Sequence, residues 1–487
     1  MTSAILAVDQ GTTNTKAVLV STGGEIIARG SSAVGIEHPQ PGWVEQDPRR
    51  IWASVLEAIA ACLDVAPGAD VLAVAISNQR ESVTVWDEAG EPLGPVVSWQ
   101  CRRTAPACAD LSAAGHGPRV QALTGLPIDP MFPGPKMRWL LDRIPSVARP
   151  RLGTIDAWLI HCFTGGAVHA CDASNAARSQ LYDLNRRAWS DELCGIFGIP
   201  ASALPEVRDS AHRFGTTRGV RGIKDGTPIC AAIGDSHAAL FGHGAFKPGD
   251  GKVTFGTGSS VMMTLPGFVS PRNGNTTTIA WALGGVPTYA LEGNILVSAA
   301  SLPWMTEMLG LPDVQALTDL AESAEPGGPG FVPAFVGLGA PHWAADARGL
   351  FSGITFGTTR AQMARAVTDS IAFQVHDVFD AMTAQSPVPL GRLYADGGPS
   401  RNTFLMQCVT DTLNHPLIQC DAPEASALGA AYLAGLALGV WPDLDAISAI
   451  HRPETLLAPR ASDASARLAV WQDAVRRSTL PALHDKG

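Results

Sequence analysis

Asp9-Gln10-Gly11-Thr12-Thr13-Asn14-Thr15-Lys16 follows the apolar run Ala4 to Val8 and leads into a second run, Lys16 to Val20. A buried strand that ends in a carboxylate and turns through a glycine and two hydroxyls can aim backbone N–H groups at an anion. Such a loop suits a phosphate beside a metal ion, because phosphoryl transfer spreads charge over equatorial oxygens that donors and Mg2+ must meet. Taken alone, the octapeptide serves equally as a plain hairpin with a capping Asp. The chain then continues through Thr22-Gly23-Gly24 into Ile26-Ile27-Ala28, which completes an antiparallel meander.

The same order of signals returns much later. Lys252-Val253-Thr254-Phe255, the turn Gly256-Thr257-Gly258-Ser259 and the run Val261-Met262-Met263 repeat strand, Gly/Thr turn and strand, which predicts a duplicated architecture. A third loop, Ala395-Asp396-Gly397-Gly398-Pro399-Ser400-Arg401-Asn402, lies between the short run Leu393-Tyr394-Ala395 and a helical pattern from Phe404 to Leu413. Its paired glycines leave space for a flat base or sugar against the backbone. Helical periodicity over Ile51 to Leu63 and Arg360 to Met382 intermixes with these strands, so the class is α/β. The breaker-rich stretch between residues 243 and 252 predicts a boundary there, giving domains 1–246 and 247–487.

Composition bounds the function. At 487 residues, with 46% hydrophobic and 16% charged, the chain should form about two large domains, with a ligand cleft between them as the default. A net charge of −10 and the lack of Lys or Arg runs argue against nucleic acid as a partner. The first apolar run stops at Asp9 without a basic leader, and the apolar stretch Ala425 to Val440 falls short of a bilayer, so no membrane partner and a cytoplasmic location are expected. Nine cysteines without a CxxC pair speak against a disulfide framework or structural zinc.

In their order along the chain, the three loops resemble the phosphate and adenosine motifs of the superfamily of actin, heat-shock chaperones and sugar kinases. Further segments narrow the likeness. Gly42-Trp43-Val44-Glu45-Gln46-Asp47-Pro48, Ser77-Asn78-Gln79-Arg80-Glu81, Ser98-Trp99-Gln100-Cys101-Arg102-Arg103-Thr104, Lys136-Met137-Arg138-Trp139-Leu140-Leu141, Gly153-Thr154-Ile155-Asp156-Ala157-Trp158-Leu159, Gly234-Asp235-Ser236-His237-Ala238-Ala239-Leu240 and Ala427-Leu428-Gly429-Ala430-Ala431-Tyr432 are similar to FGGY carbohydrate kinases, closest to the glycerol kinase pattern. The resemblance implies two ribonuclease-H-like domains of the actin and sugar-kinase type with a catalytic cleft between them. It implies ATP-dependent phosphorylation of a small polyol or sugar, with ATP and Mg2+ as cofactors, and it admits a homodimer.

Roles follow from the same resemblance. Asp235 matches the catalytic base and also stands on the Mg2+ side with Asp9, which matches the carboxylate that holds the metal beside the phosphates. Arg80 and Glu81 match the pair that grips acceptor hydroxyls, and Trp99 the ring that packs on the acceptor carbon chain. Thr12, Thr13, Asn14 and Lys16, then Gly256, Thr257 and Gly258, then Gly397, Gly398 and Asn402 match the nucleotide loops. Outside that pattern, Asp235 reads as the N-cap of an alanine-rich helix.

The likeness breaks near the acceptor. Met131 after Asp129-Pro130 stands where glycerol kinase has Tyr; Ser259-Ser260 replaces Cys-Phe; Ser236-His237 replaces Gln-Gln; Ser298 to Pro303 departs beside the nucleotide while Glu292-Gly293 is retained. Losing a phenol that bonds the substrate can cost about 1–3 kcal/mol, so a tetritol or a short ketose rivals glycerol. Two other readings compete: a catalytically silent sensor with a kinase fold, and a hydrolase using Gly234-Asp235-Ser236, for which the tail offers only His484 without its Asp partner.

Overall fold

The computed structural model describes residues 2–145, 149–421, 424–450, 454–460 and 463–480. The chain forms two compact units. The first comprises Met1–Phe246, Thr277–Ala290 and Glu424–His451, and the second Lys247–Thr276, Leu291–Pro423 and Arg452–Gly487. Along the chain the change of unit falls between Phe246 and Lys247, but the first unit also takes two later stretches, Thr277–Ala290 and Glu424–His451.

In the first unit the meander is formed by Ser3–Gln10, Asn14–Ser21 and Ile26–Ala33, paired antiparallel. The other edge of Ser3–Gln10 takes Asp70–Asn78 in parallel, and Asp70–Asn78 takes Pro228–Gly234 in parallel. Ala211–Thr216 closes the six-stranded sheet. Ala4 to Val8 and Ala73 to Ile76 are fully buried, as unbroken apolar runs in a sheet covered on both faces should be. The register places Asp9 opposite Ser77, Gln10 opposite Asn78, and Gly234 opposite Asn78. Three parallel strands therefore end at one level, the edge where open α/β sheets bind ligands.

Two helices hold that sheet. Pro48–Val65 starts on Asp47, whose carboxylate accepts from the Arg49 N–H, and buries Ile51, Val55, Ala58, Ile59 and Cys62 at three- and four-residue steps. Ala425–Leu438 is apolar all round, so it is buried rather than amphipathic, and it packs on Asp235–Gly242. Among the described residues, no helix is long and apolar enough to cross a membrane. A four-stranded sheet, Glu45–Gln46, Val96–Val97, Val83–Trp86 and Arg151–Thr154, has its own apolar core with Val83, Val85, Met137 and Leu140, and the helix Pro133–Leu141 packs on it.

The second unit repeats the plan. Gly251–Phe255 pairs antiparallel with Ser259–Leu265 and parallel with Leu393–Asp396, which pairs parallel with Leu417–Cys420. Strand order from the Val286–Ile295 side matches that of the first sheet: the third strand, the second, the first, then two parallel additions. The helix Arg360–Thr383 starts on a capping box made by Thr359 and Gln362. Duplication predicted from two faint openings is thus a shared sheet topology.

The crossing of Asp235–Gly242 on Ala425–Leu438 tolerates no side chain at its centre. A Cβ on Gly429 would lie 1.9 Å from the Ala238 carbonyl oxygen, so Gly429→Ala should destabilise the fold by about 1–3 kcal/mol or more. Chemical unfolding would read this as a lowered midpoint; an unchanged midpoint would mean the two helices separate freely.

Candidate active site

The strand ends of the first unit carry most of the residues singled out above. Asp9 ends Ser3–Gln10 and accepts from the Ser77 hydroxyl at 2.7 Å, across the parallel pairing that brings Ser77 beside it. Asp235 opens the helix after Pro228–Gly234. Gly234, not Asp235, occupies the N-cap position, and Asp235 sits in the first turn with its own carboxylate accepting from the Ser236 N–H at 2.7 Å. The simple cap reading therefore does not describe this residue.

Asp235 faces Arg80. Arg80 Nε lies 3.3 Å from Asp235 Oδ1, with the arginine side chain 9% exposed and the carboxylate 38% exposed. Arg80 runs back over Gly234, where a Cβ would lie 2.6 Å from Arg80 Cγ, so only glycine at that strand end lets the guanidinium reach the carboxylate. Glu81 is buried next to it, with φ of 60°, a left-handed backbone that a glutamate adopts only under constraint. That constraint is visible: Arg178, fully buried, donates from Nε to Glu81 Oε1 at 2.6 Å, and Arg80 Nη1 lies 3.9 Å from the same oxygen. Two guanidinium and two carboxylate groups thus offset one another, with one carboxylate open to solvent.

The first Gly/Thr loop is a tight hairpin, with the Gly11 N–H donating to Asn14 O at 3.0 Å. Thr13 and Asn14 are exposed and Thr12 half-buried. Lys16 is paired with Glu424 at 2.9 Å, at the start of the helix Ala425–Leu438. Trp99 Nε1 donates to Thr12 Oγ1 at 2.9 Å, so the ring read as an acceptor wall is tied to the loop read as a phosphate loop.

That bond closes a circuit. The Trp99 N–H donates to Ser82 Oγ at 3.1 Å, Ser82 Oγ to Gln79 Oε1 at 2.8 Å, Gln79 Nε2 to Gln46 Oε1 at 3.0 Å, and Gln46 Nε2 to Thr12 O at 2.7 Å. Gln79 Nε2 also donates to Gln10 Oε1 at 3.0 Å, which uses its second proton. Gln10, Gln46, Gln79 and Ser82 are all buried. Buried amides whose donors and acceptors are matched in this way fix one loop arrangement.

In the second unit the Gly256 N–H donates to Gly258 O at 2.8 Å, and the Ser298 N–H to Thr257 O at 2.8 Å. Ser259 and Ser298 share a hydroxyl hydrogen bond at 2.7 Å, so two departures from the glycerol kinase pattern contact each other. Gly397, with φ of 93°, brings the Gly-Gly turn against Phe255, and Gly398 faces open space. Asn402 caps the helix Thr403–Leu413 by accepting from the Leu405 N–H at 2.9 Å.

Several participants were not legible as motifs. Arg178 lies in Cys171 to Gln180, every residue of which is buried, but the stretch is mixed in sequence, with Asp172, Ser174, Asn175, Ser179 and Gln180 beside its alanines, and so gave no signal of that burial. Glu424 and Gln79 gave none beyond adjacency. The hydrolase partner His484 lies outside the described residues.

The chain matches the N-terminal domain model of the FGGY family of carbohydrate kinases over residues 4–242 and the C-terminal domain model over residues 251–438. It is 44% identical to an apulose kinase of Pectobacterium atrosepticum, over 98% of this chain and 99% of that one. It is also 44% identical to a glycerol kinase of Symbiobacterium thermophilum, over 97% and 98% of the two chains. The crystal structure of Plasmodium falciparum glycerol kinase with ADP superimposes with a TM-score of 0.93 at 30% identity, over 99% of both chains. The chain belongs to the FGGY family of carbohydrate kinases, enzymes of two ribonuclease-H-like domains, and its reaction is the ATP-dependent phosphorylation of a polyol or sugar.

Proposed function

We propose that Asp235 is the general base of this kinase, that Arg80, Glu81 and Trp99 bind the acceptor, and that the acceptor is a polyol or ketose of four or five carbons. The observation that carries the reading is the Arg80–Asp235 pair at 3.3 Å: a buried fork of donors beside a carboxylate that keeps an open face. The carboxylate would accept the proton of the attacking hydroxyl while Arg80 fixes its orientation, leaving the hydroxyl oxygen aligned for attack. The acceptor size rests on Met131, whose thioether cannot donate as a phenol does, and on Ser260 in place of a phenyl ring. The chain is as similar to an apulose kinase as to a glycerol kinase, so identity does not favour glycerol, and the size assignment rests on these two substitutions.

The residues fit ATP with Mg2+. Burial, and then the charge of Asp235, push the Asp9 carboxyl up to about 6, against the pull of the Ser77 hydroxyl and Lys16. Two carboxylates that repel each other gain from a divalent cation. Mg2+ generally keeps several waters and is bound through one or two carboxylates together with substrate phosphates. Asp9 and Asp235 would hold it, and it would neutralise charge on the phosphates. In the first unit Thr12, Thr13, Asn14 and Lys16 would serve as phosphate-holding residues, and in the second Gly256, Thr257 and Gly258. Gly397, Gly398 and Asn402 would hold the adenosine, for which the open space before Gly398 leaves room.

Asp235→Asn should keep the fold and lower kcat by about 10²–10⁴-fold, the usual contribution of a positioned base. Parent activity in a folded variant would remove Asp235 from this role.

In a panel of glycerol, erythritol, ribulose, xylulose and apulose, kcat/KM should be highest for a four- or five-carbon member. A maximum at glycerol would overturn the size assignment.

Asp9 sets a pH signature. A carboxyl raised in the folded state binds more protons than in the unfolded chain, so its contribution to stability falls as pH rises from about 4 to 6. Without nucleotide or metal, Asp9→Asn should therefore melt higher than the parent above pH 6, and the gap should close towards pH 4. A gap that does not change with pH would show that the Asp9 charge is not strained.

A further inference from the structure

Lys136 belongs to a segment that the catalytic assignment leaves unused. It lies on the helix Pro133–Leu141, with the side chain fully buried. Its Nζ reaches three backbone carbonyl oxygens: Glu81 at 2.6 Å, Met131 at 2.6 Å and Ser98 at 3.3 Å. Each comes from a different segment assigned to the acceptor. Glu81 O belongs to the Arg-Glu pair, Ser98 O immediately precedes Trp99, and Met131 O belongs to the residue that replaces the expected tyrosine.

The stoichiometry is specific to the charged form. An ammonium has three N–H donors for three carbonyls, whereas a neutral amine has two and turns a lone pair towards the third. We infer that Lys136 is a positioning residue for acceptor recognition, its ammonium holding the Glu81, Ser98 and Met131 segments in one arrangement without touching the acceptor. The inference rests on the acceptor assignment made above and deepens it.

Titration adds a readout. Burial pushes the Lys136 ammonium down to about 7, against the upward pull of Glu81, Cys101, Asp129 and Cys108. Of these groups, the Glu81 carboxylate is also met by Arg178 and approached by Arg80. The ammonium should therefore be lost just above neutral pH, releasing part of the acceptor arrangement.

The test uses steady-state kinetics of the full chain with MgATP and whichever of glycerol, erythritol, ribulose, xylulose and apulose the parent turns over best. For Lys136→Met the KM of the acceptor should rise about tenfold or more, while kcat and the KM of ATP change less than about threefold. In the parent, the acceptor KM should rise as pH passes upward through about 7, with the KM of ATP unchanged, and the variant should lose that dependence. If Lys136→Met does not fold, Lys136→Gln, which keeps two donors, is judged by the same split. An acceptor KM equal to the parent's in the folded variant, or an equal loss in the KM of ATP, overturns the inference. So does an acceptor KM in the parent that is flat from pH 6 to 9. Failure of the parent to use any of the five acceptors would overturn instead the acceptor assignment beneath it.

Discussion

Arg80 lies between two carboxylates, and the site is built around keeping it there. Its guanidinium reaches Asp235 at 3.3 Å and approaches Glu81 at 3.9 Å, while Arg178 takes Glu81 at 2.6 Å from within the core. Removing Arg178 or Glu81, the buried pair of the group, would strand a charge, at a cost of about 3–5 kcal/mol, whereas Asp235 is open to solvent. The backbone accepts local penalties for it: a left-handed glutamate at 81 and a bare strand end at Gly234. The fold meets those penalties because Asp70–Asn78 and Pro228–Gly234 are adjacent parallel strands, which end at the same level and deliver Arg80 and Asp235 together.

The hydrogen-bonded circuit extends that logic to the neighbouring loops. Gln46, Gln79, Ser82, Trp99 and Thr12 come from four separate stretches of the first unit, yet each bond requires the next to be in place. A loop that reads as phosphate-binding and a ring that reads as acceptor-binding thus cannot shift independently. Lys136 stands in a corresponding relation to the acceptor segments, with carbonyls in place of amides.

What could be read from the sequence divides along the same physical line. The meander Ala4 to Ala28, the second opening at Lys252 to Met263 and the helices after Asp47 and Thr359 are local: apolar runs, turns and caps specify them within a few residues. Helix limits moved by one to three residues, as at Pro48–Val65, which begins three residues before Ile51 and ends two after Leu63. Asp235 in the first turn rather than at the cap is a one-residue difference that changes what its carboxylate does. Arg178, Lys136 and Glu424 were out of reach because their partners lie 97, 55 and 408 residues away, and no periodicity encodes such distances.

The central claim is that the open face of Asp235 receives the acceptor hydroxyl while Arg80 and Glu81 hold the rest of the molecule. A crystal structure of the complex with a non-hydrolysable ATP analogue and the preferred acceptor tests it most directly. The account predicts one acceptor hydroxyl at about 2.6–3.2 Å from an Asp235 carboxylate oxygen, with Arg80 and Glu81 on other hydroxyls of the same molecule. An acceptor bound with Asp235 turned away, and its reacting hydroxyl on a different side chain, would contradict it.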